Sequence, residues 1–133
     1  MKEIVKPGDV VHHCFTVQPD DVAQFQGQIV HPVCATFTLA REIEWTTRQF
    51  VLKMRDEDEE GVGTFLSIDH KGPAFVGEQV CIEAKVDELK GNELLCSYRA
   101  HVQGRMVAEG KTGQKILKRA RIQTLFSRTS SAT

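Results

Sequence analysis

A chain of 133 residues, 41% hydrophobic and 26% charged, has the size of one soluble domain and can bury a single core without a structural metal. Its formal net charge of -1 excludes a global field that would hold it on nucleic acid or an anionic membrane. No apolar run approaches the roughly 20 residues that span a bilayer, and nothing long and apolar follows Lys2 and Lys6, so neither a membrane span nor a signal peptide is predicted.

The first predicted strand is Val10 to Val17, entered through Lys6-Pro7-Gly8-Asp9 and left at Pro19-Asp20. Asp20 to Val33, which contains Gly27 and Pro32, reads as a loop or a short irregular helix. The clearest helix follows, because Leu39, Ile43, Phe50 and Met54 recur at helical spacing and Thr46 or Thr47 fills the missing turn. Thr36 stands near its start, in a position that suits a cap. The run from Arg55 to Gly61 reads as an acidic, solvated loop, since negative charge opposes the dipole at a helix C-terminus.

Beyond it the period falls to two. Val62 to Asp69 alternates, Gln79 to Leu89 places Val80, Ile82, Ala84 and Val86 on one face, and Glu93 to Val102 follows a turn at Gly91-Asn92. Met106 to Leu117 is the last strand. One strand, a long helix and a four-strand meander predict an α+β fold, with the helix against one face of an antiparallel sheet of about five strands. The basic tail from Lys118 predicts a short helix with Ile122, Leu125 and Phe126 on one face. Docking on its own domain is preferred over contact with a ligand's phosphates or a partner, and order is expected to end near Ser127. Residues 1–133 are thus read as one domain with residues 119–133 as its tail.

The cysteines, Cys14, Cys34, Cys81 and Cys96, form no C-x-x-C pair, which argues against a zinc ribbon or a thioredoxin-type site. They read as four reduced thiols in a cytoplasmic protein. Cys34 has no basic partner or glycine loop beside it in sequence and ranks as a buried thiol, not a nucleophile. No histidine has a second or third ligand at metal-binding spacing, so no metal is expected.

Three other residues carry chemistry. Glu44 has Ala40, Thr47 and Val51 as helical neighbours, a small-to-apolar strip where a carboxylate is expected to be partly desolvated. The competing reading pairs it with Arg41 or Arg48. His70 closes the strand that begins at Val62 and leans to the side of Leu66 and Ile68. Thr36, taken alone, is a helix cap.

Together these residues resemble one family. Thr36 lies eight residues before the helical Glu44, and Gly63 lies seven before His70. Both spacings resemble those of the fluoroacetyl-CoA thioesterase type of hot-dog thioesterase, and the H-x-x-P-x-x-x-G segment from His70 to Gly77 resembles the strand break of that group. The resemblance covers roughly residues 8 to 122. It implies a hot-dog fold, an acyl-CoA thioester as substrate, no cofactor beyond the coenzyme A of the substrate, catalytic Thr36, Glu44 and His70, and Gly63 at the substrate. It also implies a homodimer or a dimer of dimers, with no nucleic-acid or membrane partner. The chain departs from the family before Thr36, where Val22 to Val33 is several residues shorter than the family's lid and holds Phe25 as its one aromatic residue. The general acyl-thioester reading is therefore preferred over fluoroacetyl selectivity.

Geometry adds a constraint. Seven strand residues cover roughly 23 Å, so Gly63 and His70 of one chain cannot share a small site unless the strand folds back. An antiparallel pairing of two protomers about a centre between Leu66 and Ser67 brings Gly63 of one opposite His70 of the other. Thr36 and Glu44 are separated by about 12 Å of helical rise if the helix runs straight through Thr36. Two rival functions are weaker. A hot-dog dehydratase or hydratase would use Asp69 and His70, but adjacent strand residues point to opposite faces. A non-catalytic acyl-CoA or small-molecule binding protein has no need of Thr36, Glu44 and His70 together.

Overall fold

Two periodicities, 2 in the strands and 3.6 in the long helix, build the molecule; the structure is a computed structural model and describes residues 1–131. In chain order the elements are β1 (Val10–Thr16), a 3-10 turn (Pro19–Asp21), β2 (Val22–Phe25), β3 (Gln28–Cys34), α1 (Thr36–Met54), β4 (Glu59–Leu66), β5 (Asp69–His70), β6 (Gln79–Lys90), β7 (Glu93–Val102), β8 (Arg105–Lys118) and α2 (Arg119–Ser131). The main sheet is antiparallel in the order β1-β6-β7-β8-β4, and β5 continues along β8 beyond β4. α1 lies against its inner face, so the predicted α+β hot-dog architecture holds, with six strands because the expected Val62–Asp69 strand is cut in two.

The cut has a steric cause. Ser67 sits over Gly110 of β8, where a Cβ would stand only 2.0 Å from the Ser67 carbonyl oxygen. Tyr98 donates its hydroxyl to that oxygen at 2.8 Å, and the Lys111 amide donates to Ser67 Oγ at 2.9 Å. The strand then resumes, with His70 opposite Ala108.

The core forms where the inner faces meet. Leu39, Ile43, Phe50 and Met54 of α1 are buried against Val80, Ile82, Ala84 and Val86 of β6 and the alternating residues of β7. Both Thr46 and Thr47 are fully buried in the stripe. Thr46 donates to the Glu42 carbonyl at 2.7 Å, which satisfies its hydroxyl within the helix.

Four expectations are corrected. Residues 22–34 form a β-hairpin, closed by Gln26 (φ 53) and Gly27 (φ 79), the two positive-φ positions of a type I′ turn. The acidic run is not solvated throughout. Glu59 is buried and accepts from the Asp56 amide at 2.9 Å while lying 2.9 Å from the chain's amino terminus, and β4 starts there. Instead of four free thiols, Cys14 and Cys81, opposite each other on β1 and β6, are joined in a disulfide, leaving Cys34 and Cys96 free and buried. Burial holds those two thiols up, at about 11 for Cys34 and about 12 for Cys96. The tail is helical to Ser131 and does not dock closely. Ile122 is half-covered, and Phe126 is 61% exposed. Ala132 and Thr133, the end of the stretch expected to lose order, lie outside the described residues.

Candidate functional site

The predicted site residues fall into two groups on one chain. The first joins Thr36 and His70. Thr36 is the first helical residue of α1; Ala35 takes the cap position, and no side chain caps the end. The Thr36 hydroxyl is thereby left for His70, whose Nδ1 lies 2.9 Å from Thr36 Oγ1. Thr36 is thus not the cap its position suggests. His70 is held by β5 against β8, and the Lys71 amide continues the ladder to the Val107 carbonyl at 2.8 Å. A hydrogen bond at Nδ1 fixes the plane of the imidazole and leaves Nε2 as its other ring nitrogen.

The second group joins Glu44 and Gly63. Glu44 leaves the outer side of α1 and is exposed on the single chain, so the chain alone does not supply the expected desolvation. The competing ion pairs are also absent among the described residues. Arg41 lies 3.6 Å from Asp21 and Arg48 lies 2.9 Å from Glu60, leaving the Glu44 carboxylate unclaimed. Its Oε1 stands 3.8 Å from the place a Cβ would take on Gly63. Nothing else lies within 4 Å of that place, so packing does not demand a glycine there. Gly61 differs, because a Cβ on it would meet Val51 at 2.8 Å. A side chain on Gly63 would project toward the carboxylate.

Around this pair is a cleft of about 330 Å³ between α1 and the β4–β8 ladder, lined among others by Trp45, Arg48, Phe65 and Gln114. Phe65 packs against Gly113, where a Cβ would approach its ring to 2.5 Å. Trp45 and Phe65, both about half exposed, give the cleft apolar walls. Sequence reasoning missed Trp45, Phe65 and Gln114. Trp45 follows Glu44 directly, and that adjacency was the one available signal.

The groups stay apart. Gly63 pairs with Gln114 and His70 with Ala108, so six residue steps along β8, roughly 20 Å, separate them. The strand does not fold back. Among the described residues β4 pairs only with β8, leaving its outer edge with unpaired backbone groups.

Arg48 ties the cleft to the start of β4. Its guanidinium donates to Glu60 at 2.9 Å, and together with the Gly61 amide it holds the Glu60 carboxyl down at about 2. Because the folded-state value lies below the unfolded one, the unfolded chain binds more protons between them. This part of the stability is present above about 4.5 and lost as pH falls towards about 2. Thermal melting from pH 6 to pH 2.5 is expected to show a steeper acid loss for the wild type than for Glu60→Gln; parallel curves would remove the pair from the account.

Comparison with known proteins now bears on this arrangement. A model of the fluoroacetyl-CoA-specific thioesterase family matches residues 17–120. The chain belongs to that family. A Thermus thermophilus thioesterase-superfamily protein superposes with a TM-score of 0.91 at 27% identity, over 98% of this chain and 96% of that one. The fluoroacetyl-CoA thioesterase FlK superposes with a TM-score of 0.85 at 18% identity, over 93% of this chain and 96% of FlK. A hot-dog-like protein from Thermanaerovibrio acidaminovorans gives 0.83 at 17% identity, covering 92% and 91% of the two chains. A comparison with curated proteins finds no match. The family match spans both groups of side chains. No helix is long and apolar enough to cross a membrane, and no group of three or more metal-ligating side chains occurs among the described residues.

Proposed function

We propose that this family member is an acyl-CoA thioesterase that hydrolyses a small or medium acyl thioester to free acid and coenzyme A, acting as a homodimer. The observation that carries this reading is the division of Thr36–His70 and Glu44–Gly63 into half-sites beside a free strand edge. Antiparallel pairing of two β4 edges about Leu66–Ser67 sets Gly63 and Glu44 of one protomer opposite Thr36 and His70 of the other. It also withdraws Glu44 from water. Glu44 then attacks the thioester carbonyl or activates a water, the Gly63 amide stabilises the oxyanion, and His70 assists the departing thiolate.

Coenzyme A belongs to the substrate, and the reaction needs no further cofactor or metal. A cytoplasmic placement goes with this substrate, and in that reducing compartment Cys14 and Cys81 would stand as two facing thiols. A thiol-release assay over a short panel of acyl-CoAs tests the function. Turnover of at least one supports it, and binding without release would make the chain a non-catalytic acyl-CoA protein. In the same assay Thr36→Ser is expected to stay within about threefold of wild type, whereas Thr36→Val loses roughly 10- to 100-fold because Nδ1 loses its partner.

A further inference from the structure

The cleft beside Glu44 holds a second polar side chain whose orientation follows from hydrogen-bond arithmetic. Gln114 lies on β8, and its Nε2 is 3.0 Å from Thr47 Oγ1. Thr47 in turn is 3.3 Å from the Glu44 carbonyl oxygen and 3.5 Å from that of Ile43. A hydroxyl has one hydrogen, and two carbonyls of the helix already compete for it. Thr47 Oγ1 can therefore only accept from β8, so Gln114 must turn its NH2 group towards it. The Gln114 carbonyl oxygen consequently faces away, to within 3.5 Å of the place a Cβ would occupy on Gly61. Glu44 Oε1 stands in the same relation to Gly63, two residues further along the same face of β4.

Two hydrogen-bond acceptors thus face one small cleft, each over a glycine, while the partner-bound side of Gln114 is fixed by a buried threonine. A water molecule has two hydrogens to give and needs two acceptors. We propose that the Gln114 carbonyl oxygen and the Glu44 carboxylate hold the hydrolytic water between them, making Gln114 a positioning residue and Glu44 a general base. This rests on the acyl-CoA thioesterase reading and decides between the two roles open to Glu44 there. One hydrogen stays on the water oxygen, hydrogen-bonded to the Gln114 carbonyl, while the other passes to Glu44 as the water oxygen bonds to the thioester carbon. The carbonyl electron pair moves onto oxygen. Its return breaks the carbon–sulfur bond, and the leaving thiolate takes up the proton carried by Glu44, with His70 assisting. The products are one carboxylic acid and one thiol, and Gln114 is unchanged throughout.

The test measures kcat, KM and melting temperature for wild type, Gln114→Met, Thr47→Val and Thr47→Ser with the best acyl-CoA of the panel. Gln114→Met keeps the length of the side chain and removes both its donor and its strong acceptor. Its kcat is expected to fall roughly 10- to 100-fold with KM within about threefold, as loss of positioning predicts. Thr47→Val, which frees the amide to flip, is expected to lose several-fold in kcat, and Thr47→Ser to recover it. A packing role alone would lower the melting temperature and leave kcat in place. Wild-type kcat in Gln114→Met overturns the water assignment while leaving the thioesterase reading intact; if Gln114→Met does not fold, equal kcat in Thr47→Val and Thr47→Ser overturns it instead. A wild type that releases no thiol from any acyl-CoA overturns both.

Discussion

Glu44→Gln is expected to reduce thiol release by about a thousandfold or more while leaving the melting temperature within about 2 °C of wild type. The two halves of this expectation have separate origins. Glutamine preserves the shape of the side chain and can still occupy the cleft, but it takes no proton and is a poor nucleophile. Stability is spared because the Glu44 carboxylate holds no ion-pair partner among the described residues of its chain, unlike Glu59 and Glu60, whose carboxylates hold the chain terminus and Arg48. Circular dichroism melting and a coupled thiol assay on the same preparation check both halves. Turnover near the wild-type rate would remove Glu44 from the chemistry.

Mixing two inactive variants is expected to restore activity. In the proposed homodimer, Glu44→Gln and His70→Ala are each expected to disable every site. If Glu44 of one protomer works with His70 of the other, a mixed dimer contains one site carrying both substitutions and one site carrying neither. Random reassortment makes half the dimers mixed, and each has one intact site of two, so about a quarter of wild-type activity returns. A site completed within one chain predicts no recovery, because each chain then lacks an essential group. Reassortment by co-refolding of the two variants followed by the thiol assay separates the cases. The outcome speaks directly to the roughly 20 Å that β8 places between Gly63 and His70.

Elements with a long, clean period were legible. The stripe Leu39-Ile43-Phe50-Met54 predicted α1, and the alternation from Val80 predicted β6 almost to the residue. The β2–β3 hairpin was not, for two local reasons. Its turn uses Gln26 in a left-handed conformation where Asn or Asp is the usual signal, and Pro32 inside β3 argued against a strand. A two-strand sheet has only edges, where proline is tolerated. Glu59 and Glu60 read as solvated because their partners, the chain terminus and Arg48, are distant in sequence. The same distance hid the site's wiring. Thr36 and His70 meet across 34 positions, so a hydrogen bond from Thr36 could be expected to Glu44 or to His70 without deciding which, and the Thr47–Gln114 contact across 67 positions was not visible. Gln114 was beyond reach altogether, having no titratable group to single it out.

The Cys14–Cys81 bridge, 67 positions apart in sequence, closes a covalent macrocycle. The hairpin, α1, β4 and β5 all lie inside this ring, and with them Thr36, Glu44, Gly63 and His70; β7, β8 and α2 hang outside it. A single cut anywhere in the ring, such as at the Gln26–Gly27 turn, opens the macrocycle without dividing the molecule. Both ends of the cut remain attached to β1 and β6, whose own ladder is untouched. While the bridge lasts, nicking linearises a loop; once it is reduced, the same nick releases β1 as part of a separate peptide. Where the bridge is formed, connectivity as well as packing thus guards the constellation of side chains; as two facing thiols, the pair leaves that task to packing alone.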